Sequence, residues 1–292
     1  MSAPTSLRTP WLPKLVVAPS FLLAFFFIYG LIAWNGYLSL SASHMLPNYD
    51  FVGLQNYADL FDSDRFHVAL VNLAIFGVLF IGGSMCIGLL LAILLDQKIR
   101  GEGVLRTIYL YPMAISFIVT GTAWKWILNP GLGLEKVLHG WGWESFSFDW
   151  LVRPDRAIYC ICIAGIWQAS GFVMALFLAG LRGIDDSIIK AAQVDGASLP
   201  RIYWRIVVPS LRPVFFSTLV VVSHLAIKSF DLVIALTAGG PGYSTDLPAT
   251  FMYAMSFSRG EIGLGAASAT IMLATVAAIV VPYLYSELRA KK

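Results

Sequence analysis

Six long apolar runs, parted by polar stretches rich in glycine and proline, set the rhythm of this chain. They fall at about 15–38, 68–95, 105–128, 157–181, 211–236 and 266–286. Crossing the hydrocarbon of a bilayer takes about 20 apolar residues in a helix, and each run reaches or passes that length. Hydrocarbon offers no water to bond the backbone, so each run is expected to be helical. The predicted fold is an all-α membrane protein with six transmembrane helices, forming a single domain over residues 1–292. Pro112, near the start of the third run, predicts a bend or a delayed start there. The first run is too long for the apolar core of a signal peptide, and no clear small-residue cleavage site follows it. It reads as a first span that is kept.

One interruption differs from the others. Between the fourth and fifth runs lies a charged stretch, residues 182–209, that is too patterned for a simple loop. Ala191 and Ala192 open a short helical segment, Gly196 stands where that segment must turn, and a second amphipathic segment runs to Ile206 and is stopped by Pro209. A helix over 183–193 presents Ile184, Ile188, Ala191 and Ala192, with Asp185, Asp186 and Lys190 around them. Two short helices joined at a glycine and held at the membrane face predict a docking element for a soluble partner, in the helix-in-groove mode.

Composition agrees with the pattern. Apolar residues make up 58%, charged residues 13%, and the mean hydropathy is +0.74, against about a quarter charged residues in a soluble domain. The position of the cations then sets the orientation. With a cytoplasmic N-terminus, thirteen lie inside: Arg8, Lys14, Lys98, Arg100, Arg106, Arg182, Lys190, Arg201, Arg205, Arg212, Arg289, Lys291 and Lys292. Five lie outside: Arg65, Lys136, Arg153, Arg156 and Arg259. Both termini and the docking element are therefore expected in the cytoplasm. Trp141, Trp143 and Trp150, in the second outer loop, fit an interfacial aromatic belt. Cys86, Cys160 and Cys162 sit inside apolar runs and read as small apolar side chains, with neither a disulfide nor a metal site indicated.

Polar groups inside the spans are costly, and they mark a cavity or a packed interior. In the fifth run His224, Lys228 and Asp231 recur on one helical face, with Ser217 and Val221 on the same stripe. Trp167 and Gln168 lie in the fourth run, Asn72 in the second and Trp124 in the third. Sugar rings are held by aromatic faces together with a few fixed donors and acceptors. Trp167, Gln168, Lys228 and Asp231 supply both kinds and are the candidate substrate contacts. Two plainer readings stand beside this one: Lys228 with Asp231 as an ion pair, and Gln168 as a bridge between helices. Small residues at four-residue spacing, such as Ser84 and Gly88 or Gly171, Ala175 and Ala179, predict close helix packing. No His-Glu-x-x-His and no Gly-x-x-x-x-Gly-Lys-Ser/Thr loop is present, so neither a zinc hydrolase nor an ATP-binding chain is indicated.

The docking element resembles the signature loop of the membrane subunits of binding-protein-dependent ABC importers: Glu-Ala-Ala, three residues, Gly, nine residues, Ile, one residue, Leu-Pro. Ala191, Ala192, Gly196, Ile206 and Pro209 fall at the matching spacing, and Asp195-Gly196-Ala197 matches its common form. Lys190 replaces the leading glutamate and Val208 the leucine. Three further stretches resemble the sugar branch: Phe51-Val-Gly-Leu-Gln-Asn-Tyr57, Tyr109-Leu-Tyr-Pro112 and Leu236-Thr-Ala-Gly-Gly-Pro241. The likeness is closest to the first permease subunit of glucose or glucose/mannose importers, through Thr122–Gly133 and Ala226–Asp246.

The resemblance implies a non-catalytic permease, carrying no cofactor, in the inner membrane of a bacterium. Lys190, Ala191, Ala192, Asp195, Gly196, Ala197, Ile206 and Pro209 would then dock two ATPase subunits that bind ATP and magnesium. A second homologous permease completes the path, and a periplasmic sugar-binding protein delivers substrate; no nucleic acid is involved. On that reading Gly239-Gly240-Pro241 is either a re-entrant turn or a contact for the binding protein. The main rival is an ion-coupled secondary sugar carrier with His224, Lys228 and Asp231 as a relay. That class predicts an inverted repeat, which six runs do not clearly show.

Overall fold

The computed structural model describes residues 11–97 and 99–290, so Arg8, Lys98, Lys291 and Lys292, used above for orientation, lie outside the described residues. Helices are the regular structure of the described residues, with no strand among them beyond isolated bridges. Four helices are long and apolar enough to cross a membrane unbroken: α1 (Leu12–Leu38), α3 (Asp64–Asp96), α7 (Ala157–Leu181) and α14 (Ile262–Ala290). Short α2 (Gln55–Asp62) leads into α3. The core lies where α3 packs along α7, and Phe76, Phe80, Val173, Met174 and Phe177 are all buried there. The helix α1 buries almost nothing of its apolar surface within this chain, and Asn35 ties it to α14 through the Ala266 carbonyl and the Thr270 hydroxyl.

The third and fifth runs correct the expectation of six single helices. The third divides into α4 (Glu102–Ala114) and α5 (Phe117–Ile127), which meet at 99°. Pro112 weakens α4 near its end, because it has no N–H to give to the preceding turn and its ring crowds the carbonyl four residues back, yet the helix runs through it to Ala114. The start of the helix is not delayed. Ile115 instead turns to extended backbone three residues later, and Ser116 caps the new helix through the Val119 N–H. After α6 (Leu134–Gly140) the chain enters α7. The fifth run divides into α11 (Arg212–Ile227) and α12 (Asp231–Leu236), with Lys228 closing the first.

The two broken runs pack against each other. Gly121 of α5 lies so close to Ala235 and to the Leu232 carbonyl that an added β-carbon would stand 2.6 Å from Ala235 Cβ. Non-helical backbone at such breaks persists in a membrane only where protein or a cavity satisfies it. Beyond α12, α13 (Pro248–Tyr253) and a π-helical turn (Ala254–Arg259) lead into α14.

Candidate functional site

At one end of the bundle, the docking element forms as two short helices. Asp185 caps α8 (Asp186–Val194) by accepting the Ser187 N–H, and that bond holds its carboxyl below the ordinary carboxylate range. The helix ends at Gly196, whose φ of +79° lies in the left-handed region that favours glycine. Ala197 N–H bonds the Ala192 carbonyl and Gly196 N–H the Gln193 carbonyl, the paired bonds of a Schellman cap. Then α9 (Leu199–Ile202), a π-helical turn (Tyr203–Val207) and α10 (Val208–Ser210) form one bent rod, which meets α11 at 66°.

The expectation that Pro209 stops this rod needs correction. The helix continues past Pro209 to Ser210, because the wider π turn shifts the hydrogen-bond register where the ring would clash. The stop falls at Leu211, ahead of Pro213.

The predicted docking residues divide between two faces. Lys190, Ala191, Asp195, Gly196 and Pro209 are exposed. Ala192 is only 9% exposed and belongs to the chain's own core, with Ile184, Ile189, Ala197 and Ile206 half-buried around it. The apolar side chains that do face outward are Ile188, Val194, Leu199 and Trp204. The rod is moored by Tyr203, whose hydroxyl donates to Asp96 Oδ2 at 2.7 Å and accepts from Gln97 Nε2 at 2.7 Å. Arg182, just after α7, pairs with Glu102 at the start of α4. Sequence inspection missed both ties, since each joins residues far apart in the chain.

The four candidate substrate contacts also divide. Trp167 is 41% exposed and meets Trp124 edge-on, with ring centroids 5.9 Å apart. Gln168 is buried, and its Nε2 donates to the Ile115 carbonyl at 2.8 Å, at the break between α4 and α5. It therefore bridges helices, the plainer of the two readings. Lys228 and Asp231 line a cavity of about 140 Å³ with Phe117, Ser229 and Phe230 at the other break, and no ion pair joins them. His224, Lys228 and Asp231 do not share one helix face, because the chain breaks between the last two. Phe117 and Trp124 stand two turns apart on α5, about 10 Å, so α5 connects the two groups.

Gln168→Leu is accordingly expected to act on stability. It orphans the Ile115 carbonyl, at about 1–3 kcal/mol, and a lowered unfolding midpoint with unchanged affinity for substrate would check this.

The opposite end holds a cluster that no local pattern along the chain predicts. Arg65 Nε reaches Asp246 Oδ2 at 2.6 Å, with both side chains largely buried. The guanidinium also sits 4.1 Å from the centroid of the Tyr243 ring. Asn72 donates to the carbonyls of Ser244 and Asp246, and Thr250 donates to Asp246 Oδ1. The Thr245 hydroxyl bonds Thr237 and the Gly240 carbonyl. The Gly239-Gly240-Pro241 segment is thereby held as a fixed turn. Asn72, noted as a polar group inside a span, has its partner here.

Helices enough for four to six spans, two of them broken against each other, define a polytopic α-helical membrane protein with a two-helix loop at one end. The chain belongs to the family described as binding-protein-dependent transport system inner membrane component, which it matches over residues 84–290. This family supplies the transmembrane permease subunits of ABC transporters. The chain is 41% identical over 282 residues to a probable ABC transporter permease protein of Pyrococcus horikoshii, covering 95% of this chain and 97% of that protein. It is 38% identical over 264 residues to the xylose/arabinose import permease protein XacH of Haloferax volcanii, covering 89% and 83%. With the sn-glycerol-3-phosphate transport system permease protein UgpA of Pectobacterium atrosepticum it shares 30% identity over 278 residues, covering 94% and 93%. Among solved structures, a bacterial ABC transporter involved in alginate import has a chain of the same fold, with a TM-score of 0.83 at 21% identity over 98% of each chain.

Proposed function

We propose that this chain is one permease subunit of an ATP-driven importer and forms part of the path for a monosaccharide across the cytoplasmic membrane. The observation that carries the reading is the loop from Asp185 to Ser210. It is a capped helix, a left-handed glycine and a moored rod, with Ile188, Val194 and Leu199 left facing outward. Those side chains fit the groove of a soluble ATPase, and the links of Tyr203 to α3 and of the rod to α11 would carry its closure to the breaks. Differential contact in two states is what such coupling requires.

ATP and magnesium would reside on the ATPase pair, since this chain carries no phosphate-binding loop. A second permease has a place beside α1, whose apolar surface this chain leaves uncovered. A periplasmic binding protein would deliver substrate at the end that holds Arg65 and Asp246. Both termini and the docking loop face the cytoplasm, on the charge distribution given above.

Relatives named for xylose and arabinose, for glycerol 3-phosphate and for sulfoquinovosyl glycerol support a sugar or sugar-like cargo. Glucose or mannose is the finer reading, and it rests on sequence resemblance. Lys228 and Asp231 at their cavity, with Trp167 on Trp124, are the groups proposed to meet the sugar.

The test is purification of the tagged chain in mild detergent, with its partners identified and labelled glucose uptake measured against mannose and xylose. Copurification of an ATPase and a second permease, with glucose or mannose competing best, is the expected result. A chain that purifies alone and moves sugar down an ion gradient would establish the secondary carrier instead.

A further inference from the structure

The inner side of the bend between α10 and α11 holds a groove of about 360 Å³, lined by Trp204, Val208, Pro209, Arg212 and Phe215. The lining comes from both sides of the bend, and Arg212 is the cation within it, while Arg201 and Arg205 lie on the rod either side of Trp204 in sequence. Trp204 is 77% exposed. Arg201, Arg205 and Arg212 are exposed, and none makes an ion pair or side-chain hydrogen bond with the described residues. No acidic side chain lines the groove. One cation and an apolar floor therefore meet where the loop joins a membrane span, with two more unpaired cations on the adjoining rod.

We infer that this groove binds the headgroup and upper acyl chain of an anionic phospholipid. The phosphate would sit on Arg212, since a guanidinium fork matches phosphate oxygens in pairs, with Arg205 on the rod adding to the positive field. The Trp204 ring lies at the headgroup level that tryptophan favours, and Phe215 and Val208 face the first methylenes. A polybasic site at a span's end is the recurring form of such recognition. A bound lipid would brace the bend between the rod and α11. The site needs no ATP, no sugar and no second subunit, so it stands apart from the importer reading.

The test is native mass spectrometry of the full chain, released from nanodiscs of equal phosphatidylglycerol and phosphatidylcholine. The expected result is selective retention of phosphatidylglycerol, falling about fivefold for each of Arg205→Gln and Arg212→Gln. Equal retention of the two lipids, or retention indifferent to both substitutions, would overturn the inference. Inorganic phosphate at millimolar concentration should leave the bound lipid in place; displacement by it would assign the site to a free anion. Size-exclusion profiles and ATPase copurification are followed in parallel. Lost copurification with unchanged lipid would assign the groove to the partner protein and reject the lipid. Lipid loss with copurification intact supports it, whatever becomes of the sugar assignment.

Discussion

Asp246→Ala should destabilise the chain by about 3–5 kcal/mol, the cost of leaving a buried cation without its partner. Arg65 is only 16% exposed, so water cannot take the place of the carboxylate that now lies 2.6 Å from its Nε. The same change removes one of two acceptors of the Thr250 hydroxyl, which keeps the Leu247 carbonyl. Asn72 keeps its bonds, since these run to the backbone carbonyls of Ser244 and Asp246. The damage is therefore electrostatic first, with the Thr237–Asp246 turn loosened as a consequence. Pairing the change with Arg65→Met should recover much of the loss, because an apolar pair of similar volume often matches a buried ion pair. Unfolding midpoints of the two single variants and the double variant in detergent, taken as a cycle, measure the coupling. A single Asp246→Ala loss below about 1 kcal/mol, the range of surface pairs, would show that water reaches Arg65 freely.

The unbroken helices were legible because a span is a statement about composition over many residues. The run at 157–181 became α7 (Ala157–Leu181), and the others differ at their ends by a few residues. The breaks were far harder to read. Pro112 signalled a bend, yet its place and its 99° angle depend on groups elsewhere. Gln168 takes up the freed Ile115 carbonyl, and Gly121 lets α12 approach. At the second break the spacing of the polar residues Lys228 and Asp231 predicts a stripe on a continuous helix. Their polarity marks the end of α11 and the start of α12, since charged side chains serve at helix ends as well as on faces.

The loop from Asp185 to Ser210 was legible as a pattern, and its two faces were not. Spacing alone grouped Ala192 with Ile188 and Ala191, but α8 rests on the core through Ala192 and Ile189. A bulky residue at position 192 would therefore disturb the chain's own packing before it met any partner. The pair Arg65 and Asp246 lies 181 residues apart, and nothing local to either residue announces the other. Such long-range ties are set by how helices pack, which periodicity does not encode.

Gly196→Asp separates folding from docking better than any change at Ala192, and it should abolish uptake with normal membrane insertion. The β-carbon added at position 196 meets nothing within 4 Å, so no clash within the chain opposes it. The left-handed backbone costs a typical residue about 1–2 kcal/mol, and aspartate is among those that tolerate it. Both Schellman bonds use backbone groups and survive. What changes is the surface. A second carboxylate appears beside Asp195, at the negative end of the α8 dipole, and it points out of the chain. If an ATPase groove closes there, that charge must be buried unpaired, which costs several kcal/mol. ATPase recovery should fall more than about tenfold, at 1.4 kcal/mol per tenfold, while yield and unfolding midpoint stay near those of the parent chain. Gly196→Ala, with the strain and without the charge, should retain most of the ATPase. Full recovery of ATPase with the aspartate variant would place the docking surface elsewhere, on a face that does not include Gly196.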